Sequence, residues 1–474
     1  MKRCLTRNLT AAIGLLAVSA IPAIAQSADF DLAVSAIPEF DQGRVLDGPG
    51  HVLPHRDRVE PFNLMLEERL ETLLPRLMRE TGIDMWLVIN REYNEDPVFF
   101  SLVPRPVFAA RRTTMLVFFD RGPENGGVEL LTVNRYPYGA LYESAWEGGD
   151  LEEQWQGLGE VIAERDPKRV GVNVSRHWPV ADGLSAALHE RLMEVLTPEL
   201  KERVTSAEEL VVRWIETRSP LQMEAYPQIV SLARGVIAEA FSERVITPGA
   251  TTTDDVVWYI AQRFEDLGLD IWFLPSVNAQ RRAADEDSGC GADEPFCGGS
   301  GDFVIRRGDV LHTDVGICYI GLCTDTQEMG YVLRLGESEA PAELQGALAA
   351  GNRWQDILTG EFRTGRTGNE ILAATIALAT DEGLRSSTYT HPLGVFGHAP
   401  GPTIGMWDNQ GPTPIRGDWP LYPNTAYAIE ANVKVELEMW GGQDVQIKLE
   451  QSAVYDGDKV HYLAGRQTEW HLVR

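Results

Sequence analysis

Two kinds of hydrophobic pattern run along this chain. Residues 64–80 carry apolar side chains at helical spacing, whereas 84–89, 113–119, 128–133 and 169–174 are short apolar runs of strand character. Between about 29 and 217 strands alternate with helices, which predicts an α/β unit without a visible catalytic constellation. The tripeptide RSP at 218–220 interrupts the pattern, and LQMEAYPQIVSLARGVIAEAF then begins a long helix. The reading is therefore a 26–217 domain followed by a 218–474 domain.

The second part repeats itself. PGATTTDDVVWYIAQRFEDLGL, from Pro248, is similar to TGRTGNEILAATIALATDEGL, from Thr364, with Gly249, Thr251, Asp254 and Ile260 each 116 positions before Gly365, Thr367, Glu370 and Ile376. Each copy reads as a glycine turn, a threonine beside an acidic first turn, and an amphipathic helix ended by Gly268 or Gly383. The same offset carries Asp314 onto Glu430, both in strand-like segments.

Composition narrows the class. Of 474 residues, 70 are acidic and 42 basic, a formal charge of −28, which excludes a nucleic-acid binder because phosphate neutralisation needs clustered cations. Hydrophobic residues make up 44%, enough for sizeable cores, and no interior apolar run reaches the roughly 18 residues of a membrane span. At the start, Lys2, Arg3 and Arg7 precede the apolar run 11–20, and Ala23, Ile24 and Ala25 form a cleavage signal before Gln26. Residues 1–25 thus read as a signal peptide, with export to the periplasm or beyond. Export makes disulfides the expected state of two close cysteine pairs, Cys290 with Cys297 and Cys318 with Cys323. The first pair brackets the acidic, glycine-rich insertion AADEDSGCGADEPFCGGSGD.

The segment RRGDVLHTDVGICYIGLCTDTQEMGYVL reads as two strands joined by a turn at 319–322. With Cys318 opposite Cys323, Gly316 faces Asp325 and Asp314 lies diagonal to Asp325 on the same face. Like charges so placed repel, unless one is protonated or a cation lies between them. His391 in YTHPLGVFGHAPG, Glu430 in TAYAIEANV and Glu450 in VQIKLEQSAV extend the set; in the last, Gln446, Lys448 and Glu450 alternate with apolar residues as in a half-buried strand. Hard carboxylate oxygens with one imidazole suit Mn²⁺, Co²⁺, Fe²⁺ or Zn²⁺. Five such ligands can hold two ions roughly 3.5–4 Å apart and activate the water between them.

The order Asp314, Asp325, His391, Glu430, Glu450 resembles the metal pentad of the superfamily of methionine aminopeptidase, prolidase, aminopeptidase P and creatinase. GDVLHTDVG resembles its strand leading to the first Asp and HPLGVFGH its His-bearing motif, while AIEAN stands where the superfamily has a Glu followed by Pro-Gly and KLEQ where it has Arg-x-Glu-Asp. The resemblance covers about 216–460 and implies an α+β chain. Its C-terminal pita-bread fold, with an internal pseudo-repeat, would follow an α/β N-terminal domain of the creatinase type. It implies two divalent ions, manganese foremost, with Asp314 on one ion, His391 and Glu430 on the other, and Asp325 and Glu450 bridging. It also implies that Glu430 moves the proton of a metal-bridging hydroxide and that His398 contacts the substrate. The expected activity is a metallopeptidase of the Xaa-Pro aminopeptidase or prolidase type acting on a peptide or small amide, with a homodimer as the family's usual state. The alternatives are an amidase of the same fold acting on a non-peptide substrate and a non-catalytic metal-binding homologue.

Several departures qualify this reading. No histidine lies between Trp272 and Leu311, where peptidases of the superfamily place another substrate-binding His; Asn278, Arg281 or Arg282 are the candidates to replace it. Glu328 stands where an arginine is common, and Lys448 replaces an arginine two before Glu450. GHAPG also offers His398 as a rival ligand. His391 is the reading adopted, because only it leaves a second histidine seven residues on.

Overall fold

The computed structural model describes residues 50–135, 138–285 and 303–474. The expected leader and the Cys290–Cys297 pair lie outside these residues. Among the described residues no helix is long and apolar enough to cross a membrane.

The first sheet contains β1 (Met85–Arg91), β2 (Thr113–Asp120), β3 (Val128–Thr132), β4 (Glu143–Ser144), β5 (Val170–Val172) and β6 (Val204–Ser206), in the order β4-β3-β2-β1-β5-β6. β1 pairs with β2 antiparallel and with β5 parallel. The centre of β1 is buried on both faces, so it is a continuous apolar run rather than an alternating one. Helix Leu151–Arg165 covers one face and begins with a reciprocal cap between Asp150 and Glu153. The strands expected from the apolar runs are all present.

The chain then passes into a second sheet through a buried segment. The backbone N–H of Arg218 donates to the Asn424 carbonyl, and Ser219, at the N-cap of helix Pro220–Ala240, donates its N–H to Gln222 Oε1 at 3.2 Å. Next come β7 (Asp270–Ile271), β8 (Ser276–Gln280), β9 (Val310–Val315), β10 (Ile317–Tyr319), β11 (Leu322–Cys323) and β12 (Thr326–Val332). They are followed by β13 (Arg385–Thr388), β14 (His391–Leu393), β15 (Thr425–Leu437), β16 (Gln443–Tyr455), β17 (Val460–Tyr462) and β18 (His471–Val473). The path of the large sheet is β13-β15-β16-β12-β9-β8, with β14 on β15, β17 on β16 and β18 on β12. Read outward from its centre, β9 stands to β12 as β15 stands to β16. This is the internal repeat in three dimensions.

The two repeat helices, Thr253–Asp266 and Gly368–Asp381, each start with a capping box, Thr252 with Asp255 and Thr367 with Glu370. The residue equivalent to Glu370 is therefore Asp255, not Asp254. From the cap onward the copies run one residue out of the spacing seen at Gly249 and Gly365, whose φ values of 87° and 81° mark the same left-handed turn. Helix Ala342–Gly360 packs on β15 and β16 with Trp354 and Leu358 fully buried.

Candidate metal centre

The register of the large sheet builds the site. Asp314 on β9 faces Gln327 on β12, Gln327 faces Glu450 on β16, and Glu450 faces Glu430 on β15. One row thus crosses four adjacent strands, and alternate positions along a strand share a face. Asp325 lies two residues before Gln327, and His391 opens β14 opposite Ala428, two residues before Glu430. One unbroken antiparallel register joins Val310↔Tyr331 to Cys318↔Cys323, which puts Asp314 diagonal to Asp325 as the sequence pattern implied. The sulfurs of Cys318 and Cys323 are 2.01 Å apart.

Two triads of ligand atoms form, each with its atoms within 4.8 Å of one another: Asp314, Asp325 and Glu450, and Asp325, His391 and His398. Asp325 belongs to both. The His391 Nε2 lies 3.6 Å from Asp325 Oδ2 and 3.8 Å from Glu450 Oε1. Its Nδ1 meets the Pro392 carbonyl at 3.1 Å; a carbonyl can only accept, so Nδ1 carries the proton and Nε2 presents its lone pair to the carboxylates. His398 is 3.9 Å from Asp325 Oδ2 but half exposed, at the mouth of a cavity. Glu430 joins neither triad and stands one strand further out, opposite Glu450.

Electrostatics explain what such a cluster needs. Burial pushes Asp314 up to about 7, and burial with repulsion from Asp314 pushes Glu430 to about 7 as well. Asp325 and Glu450 are raised well above the usual carboxylate range by burial and then by their neighbouring carboxylates. Lys448 pulls Asp314 and Glu430 down without offsetting burial. Burial, helped by His398, lowers His391 to about 3, so the imidazole is neutral. Asp314 Oδ1, Asp325 Oδ1, Glu450 Oε1 and His391 Nε2 are buried polar atoms without a hydrogen-bond partner. Four acids that repel one another and a lone-pair nitrogen, all converging, fit a divalent cation with oxygen and imidazole ligands.

Several residues around the site escaped the sequence reading. Gln327 sits within the carboxylate row, donating Nε2–H to Glu450 Oε2 at 2.8 Å, while its Oε1 meets His312 Nε2 at 2.9 Å. The alternation that picked out Glu450 applies equally to Asp325 and Gln327. Trp272 donates its indole N–H to the Thr324 carbonyl at 2.9 Å and packs edge-on against His398, with ring centres 4.9 Å apart. A Cβ on Gly316 or on Gly397 would come within 2.1 Å of this indole, so both positions must be glycine for Trp272 to fit. Those contacts join distant segments and leave no local signal. The first domain also contributes, because Pro97, Trp178 and Val180 line the cavity of about 490 Å³ that holds His391 and His398.

Two stand-ins for the absent histidine are not free. Arg281 pairs with both oxygens of Asp309 at 2.7 Å, and Arg282 pairs with Asp285. Both guanidiniums are held by these neighbouring carboxylates. Asn278 remains on β8, two residues from Ser276, which faces Asp314. Glu328 points to the opposite face, between Arg234 and His471, each at 2.5 Å.

Residues 224–454 match the model of metallopeptidase family M24. Among solved structures, the X-Pro aminopeptidase of Thermotoga maritima MSB8 is similar with a TM-score of 0.58 at 17% identity, over 84% of this chain and 100% of that one. The Xaa-Pro dipeptidase of Bacillus anthracis is similar at 0.55 and 16%, over 86% and 100%. A dipeptidase of Pyrococcus horikoshii OT3 is similar at 0.52 and 18%, over 86% and 100%. At these identities the likeness is one of fold, and it spans both sheets. No curated protein matches the chain.

Proposed function

We propose, from the match of residues 224–454 to metallopeptidase family M24, an exported peptidase with two divalent ions that removes residues next to proline at a chain end. The observation that carries the reading is the sharing of Asp325 between two triads of buried ligand atoms. Asp314, Asp325, His391, Glu430 and Glu450 are the residues that would hold the ions, with Asp325 and Glu450 common to both. When bound, such ions supply Lewis acidity toward a scissile carbonyl and acidify water. Glu430, in the outer strand of the row, is the carboxylate suited to hold and pass on a proton. His398, at the cavity mouth beside Asp325, can donate to an oxygen on which negative charge develops. Trp178, Trp272 and Tyr389 wall the cavity and favour an apolar side chain.

An amidase acting on a non-peptide substrate stays in view for one reason: no histidine lies between Trp272 and Leu311, and Arg281 and Arg282 are engaged elsewhere. Metal analysis coupled to hydrolysis of paired peptides, with and without proline after the first residue, tests both readings. Close to two ions per chain and proline-dependent cleavage abolished by chelation are expected. Full activity in metal-free protein would sink the proposal, and cleavage of amides but no peptide would favour the amidase.

A further inference from the structure

Beside the catalytic cavity lies a second one, of about 570 Å³, between segment 55–69, the loop 97–108 and the turn of the β10–β11 hairpin. Its lining combines Phe62, Phe100 and Phe396 with Arg56, Arg58, Arg69 and Arg105. Four guanidiniums facing one chamber are unexpected in a chain of charge −28. Elsewhere arginines such as Arg79, Arg234 and Arg385 are paired with carboxylates. Among the described residues none of these four has a carboxylate within ion-pair distance. Arg58 donates to the carbonyls of Leu53 and Gly268 at 2.7 Å, and Arg69 donates to the carbonyls of Thr217 and Trp214 and to Gln222 Oε1. Arg105 lies over the Phe62 ring, 4.8 Å from its centre. The lining has one carboxylate, the exposed Asp270, which acts on Arg105 from beyond ion-pair distance and offsets one of the four positive charges. Carbonyls and a ring face orient a cation without neutralising it, so the chamber keeps a net positive charge in partly apolar surroundings, where an anion gains most.

Position says which anion. Pro97, Cys318, Cys323, Val395 and Phe396 line both this chamber and the cavity of His391 and His398, so the two share a rim. We infer that the chamber is a distal subsite for an acidic side chain of a peptide substrate, several residues beyond the cleaved bond. This inference rests on the peptidase reading above. The Cys318–Cys323 turn and Phe396 form the threshold that the peptide crosses, and Arg56 and Arg105 are the donors that meet its carboxylate.

Two C-terminally amidated pentapeptides test it, Ala-Pro-Gly-Glu-Glu and Ala-Pro-Gly-Gln-Gln, with the metal-loaded full chain. The ratio of their kcat/KM values should favour the acidic peptide by about tenfold at low salt, shrink as salt rises, and fall to near one in the Arg56→Gln, Arg105→Gln double variant. Equal values for the two peptides in the parent protein, or an unchanged ratio in the double variant, would overturn it. The single variant Arg56→Gln, at an exposed position, should lower the ratio part of the way and guards against a folding defect from Arg105. Should the parent protein hydrolyse neither peptide, the peptidase reading fails while calorimetric titration of the same peptides still decides the subsite. Preferential binding of the acidic peptide that the double variant loses supports the subsite, and equal binding removes it.

Discussion

Gln327 and Glu450 face each other across β12 and β16, at the centre of the pseudo-symmetric sheet, and the amide of one donates to the carboxylate of the other at 2.8 Å. Asp314 flanks the pair on one side and Glu430 on the other. An amide here breaks what would otherwise be an unrelieved row of acids, and orients Glu450 at the same time. The expectation is that Gln327→Leu, which keeps the volume and loses the donor, weakens divalent-ion affinity by about tenfold or more. Mn²⁺ titration calorimetry on the two proteins checks this, and unchanged affinity would mean that Gln327 only fills space.

His391 and His398 should fail in different ways when cut to alanine. His391 aims a buried lone pair at two carboxylates, so His391→Ala should lower metal occupancy, with activity partly restored by excess metal. His398 is half exposed at the cavity mouth, so His398→Ala should keep its ions and lose roughly 10²–10³ in kcat, as when one donor to a developing oxyanion is removed. Metal stoichiometry and kcat on both variants decide, and the opposite pattern would make GHAPG the source of the ligand.

Trp272 ties the backbone before Asp325 to the loop of His398. Its ring fills the space that Gly316 and Gly397 leave open, and its N–H holds the Thr324 carbonyl. Trp272→Ala should therefore reduce kcat about 10²-fold, since small displacements of reacting groups cost that much. Trp272→Phe, which keeps a wedge of similar shape, should recover most of it. Gly397→Ala should reproduce the alanine phenotype from the other side of the contact. An effect confined to KM would show that the indole is a cavity wall and nothing more.

Acid stability should report on Glu328. Burial raises this carboxyl, but Arg234 and His471 outweigh it and hold the group at about 2, against an ordinary value of 4.5. A depressed acid stabilises the fold above its unfolded value and loses that contribution as pH falls through the folded one, here between about 4.5 and 2. At neutral pH, Glu328→Gln should destabilise by about 3 kcal/mol, because it leaves Arg234 buried without its counter-charge. Urea midpoints measured from pH 2.5 to 7 should show the gap between parent and variant closing as pH falls from about 4.5, because other depressed carboxylates such as Asp285 act equally in both proteins; parallel curves would refute the assignment.

How far the chain announced all this differs from element to element. The apolar runs of the first domain located β1, β2, β3 and β5, because buried strands leave a dense local signature. The alternation Gln446, Lys448, Glu450 and the cysteine spacing located the faces of β16 and of the hairpin, since a period of two needs no tertiary information. The repeat was legible as well, though its helices proved one residue out of step, which only the two capping boxes reveal.

Only the tertiary structure decided what lies between those elements. That Asp314 and Glu430 end up in one row follows from hydrogen-bond register among four strands distant in sequence, and register between strands is set by the whole sheet. That Arg281 and Arg282 are spent on Asp309 and Asp285, that Glu328 meets Arg234 and His471, and that Trp272 sits over two glycines are outcomes of competition among partners in space. Local sequence determines which face a side chain takes. The identity of its neighbour depends on loop paths and long-range packing, and a pattern along the chain carries no record of those.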